Sequence, residues 1–206
     1  MSSAMSGALR WLPLVLLLAV APAAAEWFDA LLARVGDSPL LASDVTSRER
    51  LFGNGAGYLE MPAQEREAAL DALIRQRLLL DEAIRFGIAR PDAARVAEVM
   101  AELRARPDNP GAGMDDATLA RQVEAELWTA AFIDARIRAF VMIRDAAVDD
   151  VLAVQGGPHP GEITAQARER VRTELAEQET ISRLDRYMDR LMRRSEVRRY
   201  PPPQVP

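Results

Sequence analysis

Apolar residues recur along most of this chain in steps of three and four, the spacing of one face of an α-helix. Leu70, Leu73, Ile74, Leu78 and Ile84 share a stripe, with Glu65, Glu67, Arg75 and Asp81 largely off it. This predicts a helix from Pro62 that stops at Gly87, a residue suited to a helix C-terminus. Val96, Val99, Met100 and Leu103 mark the buried face of a second helix, with Pro91 in its first turn. Residues 107–113 hold two prolines and two glycines, so the chain turns there. A third long helix, capped by Asp115 or Asp116, is expected to run to about Met142 on a stripe of Leu119, Val123, Leu127, Ala130, Ile137 and Val141. A shorter helix over 145–153 offers Val148, Val151 and Leu152, and residues 155–161 break it. The last helix spans 162–194, about 50 Å at 1.5 Å per residue. Ile163, Ala167, Val171, Leu175, Gln178, Ile181, Leu184, Met188 and Leu191 form its seam, which favours near-parallel packing on other long helices.

The period changes ahead of these helices. Gly36-Asp37 sits between two short apolar runs and predicts a hairpin with strands at 33–35 and 39–41. Ser43 suits a helix N-cap, and Asp44 favours the helix dipole. That helix should stop near Gly53, where three glycines fall within residues 53–57. Residues 196–200 fit a short closing strand, and 201–206, which open with three prolines, a disordered tail. The expected fold is mainly α, with four to five helices and a small β-hairpin.

The first residues read as a targeting segment. Arg10 is the only charge before Glu26, residues 11–21 are apolar, and Ala23-Ala24-Ala25 follows Pro22. Residues 1–25 are therefore expected to be a signal peptide cleaved after Ala25, leaving 206 − 25 = 181 residues. The apolar run falls short of the about 20 residues a spanning helix needs, so no stable membrane anchor is expected after cleavage. The expected location is the periplasm.

Composition narrows the chemistry. There is no cysteine, which removes disulfides, thiolate metal sites, cysteine nucleophiles and a lipoprotein anchor. All 26 basic residues are arginine. A net charge of -5 disfavours a nucleic-acid partner. His159, the one histidine, stands between two prolines with no nucleophile or orienting acid near it in sequence. Asp115-Asp116 and Asp149-Asp150 fit helix starts or solvated faces and lack the spacing of a calcium loop. The glycines of 53–57 lack the Gly-Lys-Ser/Thr of a phosphate cradle. No catalytic residue, cofactor or metal is expected.

One ordered set of segments is more specific. Val35-Gly36-Asp37-Ser38-Pro39-Leu40-Leu41-Ala42-Ser43-Asp44-Val45 resembles the opening of the SurA N-terminal domain family, a strand, a tight turn, a second strand and a Ser-Asp-Val helix start. Ala69-Leu70-Asp71-Ala72-Leu73-Ile74-Arg75-Gln76-Arg77-Leu78-Leu79-Leu80-Asp81-Glu82-Ala83 is similar to the family's next helix, and 84–88 to the junction after it. Arg136-Ile137-Arg138-Ala139-Phe140-Val141 resembles the end of its long third helix, and 162–200 its returning helix and strand. The resemblance covers most of 33–200 and implies one helical chaperone domain over 26–200, with the closing strand joining the hairpin. The family usually inserts parvulin-type prolyl isomerase domains between these parts. Here only the seven residues 155–161 fill that gap, and the parvulin histidines are absent, so the resemblance implies the chaperone module without isomerase activity.

Apolar residues beyond a single stripe are candidates for a groove that binds apolar peptides: Leu78-Leu79-Leu80, Trp128, Phe132, Phe140 and Met142. Met100, Met188 and Met192 would add adaptable contact. The alternative is that such residues fill the core. Arginines between 186 and 199 interleave with Asp185, Asp189 and Glu196, as a solvated face or as a site for anionic lipid or an acidic partner. The leading functional reading is an ATP-independent holdase or escort for unfolded envelope or outer-membrane proteins. The alternative is a non-catalytic accessory subunit that binds one folded envelope partner.

Overall fold

Gly36, at φ +55°, turns the chain between β1 (Leu31–Val35) and β2 (Ser38–Leu41) in the computed structural model, which describes residues 29–154 and 165–202. That backbone angle suits glycine. β3 (Val197–Arg199) pairs antiparallel with β1, placing Val35 opposite Val197 and Ala33 opposite Arg199. The strand order is β2-β1-β3, so the closing strand joins the hairpin as expected. Leu32, Ala33 and Val35 of the central strand are buried, and Pro39 sits on an edge strand, where its missing N–H breaks no ladder.

Six α-helices complete the described chain: α1 (Ala42–Phe52), α2 (Ala63–Arg85), α3 (Ala93–Ala105), α4 (Asp116–Arg136), α5 (Asp145–Val154) and α6 (Ala165–Arg194). The fold is mainly α with a small antiparallel sheet, and its six helices exceed the four to five expected. Ser43 is not the cap of α1. The helix already starts at Ala42, the Leu41 N–H donates to Asp44 Oδ2 at 3.0 Å, and Ser43 lies in the first turn bonded to Asp29. Asp92 caps α3, its side chain accepting from the Ala94 N–H, which leaves Pro91 outside that helix. Asp115 caps α4, accepting from the Thr118 N–H at 2.9 Å.

Three expectations about the helical stripes fail for one reason: a helix face is set by what it packs on. On α6 the expected seam residues Gln178 and Ile181 are exposed while Thr180 is buried. On α2, Leu70, Leu73, Ile74 and Leu78 are buried, but Ile84 is 53% exposed. The next position on that stripe is Glu82, a carboxylate that takes the buried place. α4 changes neighbours midway. Leu119 and Val123 meet α1 and α3, whereas Trp128, Phe132 and Ile133 turn to the main core, so Thr129 is buried and Ala130 exposed. α4 also stops at Arg136, and a 3-10 turn (Arg138–Phe140) follows.

Three apolar clusters result. The main core joins the sheet, α1, α2, α4 and α6 through Leu32, Val45, Ile74, Phe132 and Met188. The second holds Leu51, Val96, Leu103, Leu119 and Val123. The third, around Val148, Leu152 and Val171, packs α5 on the first half of α6, beside ion pairs Arg168–Asp149 and Arg172–Asp145, both at 2.6 Å. Among the described residues no helix is long and apolar enough to cross a membrane. The signal peptide and its cleavage after Ala25, His159 with the 155–161 break, Ile163 and the tail from Pro203 lie outside the described residues.

Candidate functional site

The site begins with how α2 ends. Gly87, at φ +66°, donates to the Ile84 carbonyl at 3.0 Å, and the Ile88 N–H donates to the Ala83 carbonyl at 2.9 Å. This closes the helix on a left-handed residue. The carbonyl of Ile88 then accepts the indole Nε1–H of Trp128 at 2.9 Å. The glycine at the end of one helix thereby orients the aromatic ring of another.

Beside that ring lies a concavity of about 330 Å³ between β2, α2 and α4. Leu40, Leu73, Leu80, Ala125 and Trp128 give it an apolar floor, with Pro39 at the edge. Much of its polar rim is bonded within the chain, although Arg121 has no ion pair among the described residues and Arg77 Nε is buried without a hydrogen-bond partner. Gln76 donates to Glu126 at 2.8 Å, Arg77 to Asp81 at 2.6 Å and Arg121 to the Thr118 hydroxyl at 2.9 Å. Glu124 is held by two bonds from Arg90, one of them at 2.9 Å.

The four aromatic and methionine candidates do not share this site. Trp128 is half-buried and lines it. Phe132 is fully buried, packed in the main core against Phe86 and Tyr187 at ring-centroid distances of 6.0 and 5.8 Å. It is a core residue, because the second half of α4 faces inward. Phe140 and Met142 are 60% and 86% exposed, past the end of α4, and neither lines the concavity beside Trp128. Phe140 lines a separate recess on α6. Met188 is buried in the main core rather than available for contact, while Met100 and Met192 are half-buried. Leu80 and Ala125 were not foreseen as a pair. The signal for Leu80 was the run Leu78-Leu79-Leu80, whose first two members are buried and whose third reaches the concavity.

Glu82 is the most deeply placed charge among the described residues. Its carboxylate accepts two bonds from Arg85 at 2.8 and 2.7 Å, one from Arg194 at 2.6 Å and one from the Tyr187 hydroxyl. Burial alone would raise its pKa, but the bonds from Arg85 and Tyr187 and the charge of Arg194 outweigh it and hold the carboxyl below its ordinary range. Burial, with the bond to Glu82, pushes the Tyr187 phenol up. A carboxylate engaged by four donors in this way is a tie between α2 and α6.

No family model matches this chain, and no curated protein matches it in sequence.

Proposed function

We propose that this chain is an ATP-independent holdase of the bacterial envelope, which takes apolar side chains of unfolded envelope or outer-membrane proteins into the concavity beside Trp128. The observation that carries this reading is the open apolar floor, on a rim where Gln76, Arg77 and Glu124 each bond inside the chain. A floor of that kind selects by apolar area and so tolerates many sequences. At about 330 Å³ the concavity takes a few side chains at a time, which suits weak, reversible capture. The order of segments similar to the SurA N-terminal domain, without an isomerase insertion, supports the same role, and the export-like residues 1–25 support its location.

The test uses the chain from Glu26 carrying Trp27→Phe, which leaves Trp128 as its one tryptophan. A chemically denatured apolar client is diluted into it, with light scattering and Trp128 emission followed together. Suppressed aggregation at near-stoichiometric ratios with a shifted emission is expected. Unchanged scattering and emission across a wide range of ratios refute the proposal. Recovery of one stoichiometric folded partner from envelope extract, with no effect on the client, assigns the chain to accessory subunits instead.

A further inference from the structure

A second recess, sharing no residue with the first, lies between the end of α4 and the C-terminal half of α6. Its volume is about 230 Å³. Arg136, Arg183, Arg186 and Arg190 line it, together with Ile137, Phe140 and Tyr187. No described carboxylate is part of that lining. Glu179 reaches Arg183 at 2.6 Å and Arg186 at 3.4 Å, and Arg183 also donates to the Phe140 carbonyl at 2.6 Å. Arg136 and Arg190 have no ion-pair partner among the described residues. Arg136 instead lies over the Phe86 ring, 4.4 Å from its centroid, and Arg190 over Tyr187 at 5.8 Å. Four cations against the one carboxylate that reaches them leave three positive charges unneutralised.

That excess runs against the net charge of -5 for the whole chain, so it does not follow from bulk composition. Gathering like charges in one hollow costs self-repulsion, and low-dielectric walls focus the resulting field on whatever enters. The side chains of Arg136 and Arg190 lie over aromatic rings and make no hydrogen bond or ion pair with a described residue. Their N–H donors are therefore available to a carboxylate, which a guanidinium can receive through two parallel bonds. The hollow is smaller than the about 300–1,000 Å³ of drug-sized sites and too confined for a bilayer surface. It fits the last residue of a chain.

We propose that this recess captures the free C-terminal carboxylate of a polypeptide whose final side chain is apolar. Arg136 and Arg190 receive the carboxylate, and Ile137 and Phe140 receive the side chain. This goes beyond the holdase reading and does not depend on the concavity beside Trp128.

The experiment is calorimetric titration of the chain from Glu26 with an acetylated peptide ending in leucine, as free acid and as C-terminal amide. The acid is expected to bind about tenfold tighter or more, the scale of one charge-assisted pair. That advantage should shrink as salt rises. Arg136→Gln combined with Arg190→Gln, at exposed positions, should erase the acid–amide difference with unchanged helix content by circular dichroism. Phe140→Ser should weaken acid and amide alike. Equal affinities, no binding of either peptide, or a difference that survives in the double variant overturns the proposal. So does displacement of the acid by inorganic phosphate at similar concentration, which marks a bare anion site. Binding to phosphatidylglycerol vesicles in place of the peptide also overturns it. Trp128 emission with an unfolded client reads the other site, so failure of one proposal is distinguishable from failure of the other.

Discussion

Arg194, in the last turn of α6, donates its Nη2–H to Glu82 Oε2 on α2 at 2.6 Å across 112 residues of sequence. Arg85 and Tyr187 converge on the same carboxylate, whose side chain is 6% exposed, while the two arginines stay half in water. Removing the charge leaves arginines that water can solvate, so the cost falls below the 3–5 kcal/mol of a fully buried broken pair. Glu82→Gln is expected to lower stability at neutral pH by about 2 kcal/mol in urea unfolding. A loss within a few tenths would show that α6 is held by its apolar face alone.

The same carboxylate sets a pH dependence. Its folded pKa lies below the ordinary 4.5, so its contribution is complete above that unfolded value and is lost as pH falls through the folded one. The stability gap between wild type and Glu82→Gln should therefore stay constant from neutral pH down to about 5 and close under more acid conditions. Urea midpoints measured for both proteins along a pH series decide this, and a gap that widens on acidification would contradict the sign.

What the sequence could and could not tell follows from the range of each interaction. The hairpin at Gly36-Asp37, the closing strand and the starts of the helices rest on local signals, and they stand close to where the pattern places them. Two details at helix starts moved: Asp29, fourteen residues from Ser43, takes up the Ser43 side chain, and Asp92 caps α3 so that Pro91 falls outside it. The end of α4 was illegible for another reason. No glycine or proline stands between Arg136 and Met142, and Ile137, Phe140 and Val141 keep an apolar spacing that a 3-10 turn also satisfies. Glu82 was hidden because a charged residue on an apolar stripe reads as surface until its partners, 105 and 112 positions away, are brought beside it. Phe132 was misplaced because two buried faces share one helix.

Gly87 gives a local test of the site. A side chain there meets no neighbour within 4 Å, so replacement by alanine costs only the strain of φ +66°. Gly87→Ala is expected to lose about 1 kcal/mol. Because the Ile88 carbonyl that holds the Trp128 indole follows directly, the emission of Trp128 should also change. A destabilised protein with unaltered emission would uncouple the helix end from the site.

The α5–α6 pair should behave as a unit of its own. Val148 is fully buried in a cluster that includes Leu152 and Val171 and is separate from the main core. Val148→Ala is expected to cost about 1–2 kcal/mol locally. Amide exchange should quicken in α5 and the first half of α6 while α2 and α4 keep their protection. Uniform acceleration would mean that the three clusters open together.

Leu80 separates core from site. It is half-buried and lines the concavity beside Trp128, whereas Leu78 and Leu79 beside it are in the main core. Leu80→Ser removes apolar floor without opening a sealed cavity, so its stability cost should stay within about 1 kcal/mol, against 2–5 kcal/mol for Leu79→Ala. Client retention should nonetheless fall several-fold for the serine variant, because the lost area is the area offered to an incoming side chain. Aggregation assays at matched folded fraction compare the two variants directly. If Leu79→Ala impaired client retention and Leu80→Ser did not, capture would depend on the integrity of the interior and the concavity would have no part in it.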